Sequence, residues 1–138
     1  MVMDADTLIL HGGMPELAIT KTDPNVYYRN YLQSYVERDV RQIANIRNTS
    51  PFNRFLTLLA GRVGQLVNLN SLSGEVGVSH TTLAGWLDIL EASFIIFRLQ
   101  PYFANIGKRL VKTPKIYFTE TGLAACLLGL KTAEQVSR

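Results

Sequence analysis

Between Asn68 and Leu99 the hydrophobic period switches from that of helices to that of a strand, and this switch most limits what the chain can become. Leu72 and Val76 mark a short helix that Asn70 can cap. Gly77 supplies a turn, and Ser79 can cap a longer helix with Leu83, Trp86, Leu87 and Leu90 inward. A short helix, a glycine turn and a longer helix form the helix-turn-helix pattern. The run Phe94 to Leu99 is β-branched and aromatic and reads as a strand that Pro101 ends. Val111 to Phe118 is a second strand candidate, with Pro114 demoting it to an edge or bulge. Asn105-Ile106-Gly107 would then be the hairpin turn. A two-stranded ribbon after a helix-turn-helix predicts a winged helix.

Two helices are expected upstream. Asp23 caps the first and Pro24 takes its first position. Tyr28, Tyr31, Leu32, Tyr35, Val36, Val40, Ile43 and Ile46 follow close to a 3.6 period. That stripe is more apolar than a free helix leaves wet, so it should meet the second helix or another chain in a homodimer. The second helix begins at Ser50-Pro51 and carries Phe52, Phe55, Leu56, Leu59, Val63 and Leu66. Gly61 and Gly64 within it mark either a close helix contact or early fraying. Ahead of both, Leu8 to Leu17 meets two glycines and a proline, so it turns sharply and should dock on something else. Thr121 to Leu130 reads as a short last helix with Gly129 near its end. The fold class is therefore mostly α. Residues 1–48 form a docking segment, and residues 49–138 form a winged-helix domain that includes the short last helix.

The chemistry is sparse. The chain of 138 residues contains no Gly-x-x-x-x-Gly-Lys-Ser/Thr loop, so it should neither bind ATP tightly nor hydrolyse it alone. His11 and His80 lack cysteine or carboxylate partners at metal-ligand spacing. Glu37 and Asp39 point about 100° apart on a helix and do not converge as an acid–base pair. No catalytic, cofactor-binding or metal residues are expected. Cys126 lies in the apolar run Leu123 to Leu130 and reads as an inert buried thiol. Met1 to Asp6 has two acids and no basic stretch, and no apolar run approaches the ~20 residues of a membrane span. The expected location is the cytoplasm.

The net charge of +3 permits contact with nucleic acid without demanding it. Lys108, Arg109, Lys112 and Lys115 crowd into eight residues with no acid among them. On a wing they could neutralise phosphates without reading sequence, and as an edge strand they would simply discourage aggregation. The outward residues of the longer helix include His80, Thr81 and Thr82, the tentative nucleic-acid contacts of that element. Ala84, Gly85, Asp88 and Glu91 complete that face, which has no Arg, Lys, Asn or Gln to read bases. Asp88 and Glu91 would also meet phosphate with the wrong sign.

Six stretches stand out together: Gly12 to Glu16, Tyr35 to Val40, Val78 to Leu83 with Trp86 to Leu90, Pro101 to Phe103, Lys108 to Lys115, and Tyr117 to Ala124. In combination they resemble a widespread prokaryotic AAA-type ATPase family. Family members carry an N-terminal nucleotide-binding module, an uncharacterised C-terminal region, and often a restriction-endonuclease-like end. The matching stretches belong to the uncharacterised region. The family usually has aspartate before the Thr-Gly-Leu, where this chain has Glu120. The resemblance implies an excised piece of a longer protein, with the ATPase module ahead of it and the nuclease-like part behind. ATP and Mg²⁺ would belong to that module, which would also be the principal partner. The function expected on this basis is a non-catalytic structural or regulatory winged-helix module. The alternative is weak, sequence-blind DNA binding.

Overall fold

In the computed structural model, residues 3–102, 104–107 and 113–138 are described. The chain is mostly helical, with one small antiparallel sheet. It divides into two compact units, residues 1–47 with 120–138, and residues 48–119.

In the first unit, α1 (Ala5–His11) is capped by Asp4, whose carboxylate accepts the Thr7 N–H. The chain then reverses through Gly12, at φ +73°, into α2 (Pro15–Ile19). Asp23 caps α3 (Pro24–Tyr31) by accepting the Asn25 and Val26 N–H groups, as the Asp-Pro pair predicts. The helix does not run on as a regular α-helix. It passes through a π segment (Leu32–Val40) into α4 (Arg41–Ile43). The wider i→i+5 turns advance the chain by extra residues, which moves later positions off the α-helical face. Tyr28, Val36 and Val40 are buried, while Ile43 stays 71% exposed. The predicted stripe is thus broken at its C-terminal end. Asn45, at φ +53°, ends the run.

The last helices, α8 (Thr121–Leu127) and α9 (Ala133–Val136), complete this unit. Helix α8 packs on α1 and α3, and α9 packs on α1. The sequence had placed the short last helix with residues 49–119. Its apolar face, Leu123, Ala124 and Ala125, is buried in the unit that contains α1 and α3.

In the second unit, α5 (Thr49–Ala60) is capped by Asn48, two residues earlier than the expected Ser50. It ends at Gly61, and Gly64 adopts φ +76°. Of the two readings of those glycines, termination is the one observed. Val63 and Leu66 therefore leave the helical stripe and are exposed. Asn68, not Asn70, caps α6 (Leu69–Val76). Gly77 is left-handed at φ +82°, and Ser79 caps α7 (His80–Ala92). Leu83, Trp86, Leu87 and Leu90 face inward, as their spacing predicts.

Helix α7 stops with Phe94 at φ +59°, a position where glycine is usual. The Ile95 N–H donates to Leu90 O across this turn. A non-glycine residue there costs about 1 kcal/mol, yet the Phe94 ring is 80% exposed. Strands β1 (Ile96–Leu99) and β2 (Lys115–Phe118) follow, paired antiparallel with Phe97 opposite Tyr117. Residues 100–114 join them, so the connection is not a tight hairpin. Ile106 and Gly107 are helical where a turn was expected. Val111 and Lys112, at the start of the second strand candidate, lie outside the described residues.

Candidate functional site

The tentative nucleic-acid residues are only partly brought together. His80, Thr81 and Thr82 are exposed on the first turn of α7. The Thr82 and Ser79 hydroxyls are 2.8 Å apart, so part of that turn's polarity is spent on its own cap. Lys115 is exposed at the start of β2. Lys108, Arg109 and Lys112 lie outside the described residues. A groove of about 600 Å³ in the second unit is lined by Asn68, Asn70, His80, Arg98, Thr113 and Pro114, among others. It includes His80 but neither Thr81, Thr82 nor Lys115.

The acids on α7 are not free charges. Arg98 reaches from β1 so that Nε donates to Glu91 Oε2 at 2.8 Å and Nη2 donates to Asp88 Oδ1 at 2.8 Å. Its backbone N–H also donates to Glu91 Oε1 at 3.0 Å. The carboxylate thereby occupies a donor on the open edge of β1, where another strand would otherwise pair. The Arg98 guanidinium holds the Glu91 carboxyl below its usual pKa, and Arg98 is raised in turn. The sequence reading took Asp88 and Glu91 as repulsive to phosphate. The strand alternation that points Arg98 toward α7 was the signal that could have paired them.

A second polar cluster lies in the first unit. The Tyr28 hydroxyl is shared between His11 O, at 3.0 Å, and Glu120 Oε2, at 3.2 Å. Glu120 Oε2 also accepts the Gly13 N–H at 2.8 Å. The Tyr28 ring is fully buried, and burial next to the Glu120 charge pushes its phenol far up. Tyr31 rises to about 12, chiefly through burial. A tyrosine held protonated is a hydrogen-bond donor and a poor general base at neutral pH.

Glycine makes this cluster fit. A Cβ on Gly12 would overlap the Tyr28 hydroxyl and lie 2.8 Å from Glu120 Oε2. A Cβ on Gly122 would overlap the Tyr28 ring. Gly12-Gly13 and Glu120-Thr121-Gly122 both belong to the stretches that carry the family resemblance. Their shared role here is to clasp one tyrosine. Glu120, one methylene longer than aspartate, reaches both the Tyr28 hydroxyl and the Gly13 N–H.

The Cys126 thiol is half-buried and raised by burial, and it lies 3.9 Å from Asn25 O. Among the described residues no three His, Cys, Asp or Glu side chains are grouped to hold a metal ion. Among them, too, no helix is long and apolar enough to cross a membrane.

A family model described as a domain of unknown function, DUF8612, matches residues 3–134. Uncharacterised proteins of Mycobacterium tuberculosis and Mycobacterium bovis are each 37% identical over 128 residues, covering 91% of this chain and 29% of theirs. An uncharacterised protein of Haemophilus influenzae is 30% identical over 135 residues, covering 93% of this chain and 34% of its own. The chain thus spans about a third of the length of these relatives. No solved structure matches.

Proposed function

Because the chain belongs to the DUF8612 family of domains of unknown function, whose relatives run to about three times its length, we propose that it is a non-catalytic packing module of a larger protein. On the resemblance of its motifs, that protein is an AAA-type ATPase, and this part is a structural and regulatory winged-helix module. Helix α6, the Gly77 turn, helix α7 and the β1–β2 ribbon follow in the order such a module needs. Fold alone does not assign a function.

The observation that carries the reading is the set of large apolar side chains held outward. Ile19, Ile43 and Phe94 are 85%, 71% and 80% exposed. Phe94 in addition holds a backbone conformation that favours glycine, a local cost borne while its ring stays mostly exposed. Exposed anchors of this kind fit a protein that continues beyond this chain.

Titration calorimetry tests the non-catalytic part. The purified chain with ATP and Mg²⁺ should give no specific binding heat and no turnover. Micromolar binding with hydrolysis by this chain alone would overturn the proposal.

The second reading is weak, sequence-blind DNA binding by the same winged helix. It is favoured by the ion pairs of Arg98, whose one positive charge offsets half of the negative charge of Asp88 and Glu91 on the face of α7 that would approach a duplex. The tentative contacts would be Lys115, His80, Thr81 and Thr82, with Lys108, Arg109 and Lys112 from the sequence. Such binding would weaken steeply with salt, by about 0.9 in log K per log salt for each phosphate met.

A further inference from the structure

The two-stranded ribbon is joined at one edge by the segment Gly64 to Leu66. The Gly64 N–H donates to Ile116 O at 2.8 Å, and the Ile116 N–H donates to Gln65 O at 3.3 Å. Leu66 forms an antiparallel bridge with Lys115. Register and strand alternation then assign the side chains to faces. Ile96, Ile116 and Phe118 lie on the buried face, with Arg98 turned toward α7. The open face carries two rows. Leu99, Lys115 and Leu66 form one, and Phe97, Tyr117 and the bare backbone of Gly64 form the other.

This face is unusual for solvent. Leu66, Phe97 and Leu99 are all counted among the exposed large hydrophobic residues, and Lys115 is exposed between the two leucines. The Phe97 and Tyr117 rings stack at 5.3 Å with 14° between their planes. Along the sequence the charge of this stretch has one sign. From Ala92 to Thr119 the sequence has five Lys or Arg and no Asp or Glu. Arg98 is committed to Asp88 and Glu91 on the other side.

A partner that covers these rows must satisfy two demands. It must offer flat apolar surface to the stacked rings. It must also bring negative charge to Lys115, whose ammonium would otherwise be covered without a counter-charge. A single nucleic-acid strand meets both, since its bases stack on aromatic faces and its phosphates meet cations. A duplex meets only the second, because its bases are already stacked on each other.

We propose that the open face of this sheet binds single-stranded nucleic acid, with bases stacked on the Phe97–Tyr117 pair and a phosphate at Lys115. This goes beyond the packing role and does not depend on it. The site shares Lys115 with the duplex reading but otherwise uses the sheet residues Phe97 and Tyr117 in place of His80, Thr81 and Thr82 of α7.

The test is fluorescence anisotropy of the purified chain with a labelled mixed-sequence single strand of about 15 nucleotides, and with its duplex, at low salt. The single strand should bind more tightly than the duplex. Phe97→Leu keeps the apolar bulk but removes the stacking face. It should weaken single-strand binding by about 5- to 100-fold, with an unchanged far-ultraviolet circular dichroism spectrum. Lys115→Gln should make the salt slope shallower by about 0.7. That slope decides the matter if Phe97→Leu does not fold. Binding of neither nucleic acid would leave the face to a protein partner and overturn the proposal. So would tighter duplex binding, or full affinity and an unchanged slope in both variants.

Discussion

Gly12→Ala should lower stability by roughly 3–5 kcal/mol, the combined reach of a backbone conformation reserved for glycine and an overpacked interior. Gly12 sits at φ +73° and ψ −170°, a region that residues with a Cβ rarely enter. The added methyl would also overlap the Tyr28 hydroxyl. That hydroxyl has little room to retreat, because the ring is fully buried and Gly122 lies against the same hydroxyl end. The hydrogen bonds to His11 O and Glu120 would go with it. Gly77→Ala is the matched control. It has φ +82° and nothing within 4 Å of its Cβ position, so it should cost only about 1–2 kcal/mol. Urea unfolding of the three proteins gives both numbers. A Gly12→Ala loss no greater than that of Gly77→Ala would show that the clasp around Tyr28 yields freely.

Trp86→Ala should cost about 3–5 kcal/mol, the range for deleting a large buried aromatic. The indole is 8% exposed. It meets Phe52 edge-on at 5.4 Å and Phe55 at 5.8 Å. Those two rings come from α5, so the indole ties α7 to α5. Its removal leaves a cavity that three helices, α5, α6 and α7, would have to collapse around. Circular dichroism suits the measurement, since the chain has one tryptophan and the variant has none. A loss under about 1 kcal/mol would mean that the indole fills no space that matters.

These two sites mark what could be read from residues alone. Trp86, Leu83, Leu87 and Leu90 were legible because a helical period and the Ser79 cap are local signals. Asp23-Pro24 and the Gly77 turn were legible for the same reason. The starts of α5 and α6 were each placed too late. Asn48 and Ser50 can both cap, as can Asn68 and Asn70, and side-chain chemistry does not rank the members of such pairs. The π segment broke the stripe at Ile43 because its phase depends on hydrogen bonding that no residue pattern encodes.

The tyrosine clasp was harder still. Tyr28 and Glu120 are 92 residues apart, and Gly13 and Glu120 are 107 apart. Nothing local joins them. Gly12 was legible as part of a sharp turn and Gly122 only as part of the resemblance, and neither pointed to a tyrosine that must fit against it. The packing of α8 on α1 and α3 follows from the same long-range pairing, which no local signal in residues 121–130 encodes.

The proposed packing role rests on side chains that this chain leaves outside, so their accessibility in the longer protein is the direct measurement. Ile43→Cys and Phe94→Cys, each in a Cys126→Ser background, can be labelled with a maleimide and followed by mass spectrometry. In this chain alone both thiols should react fast, since the residues they replace are 71% and 80% exposed. In the full-length protein at least one should react much more slowly, because the remainder of the protein covers it. Equally fast labelling of both thiols in the two settings would contradict the claim that this module packs against the rest of its protein.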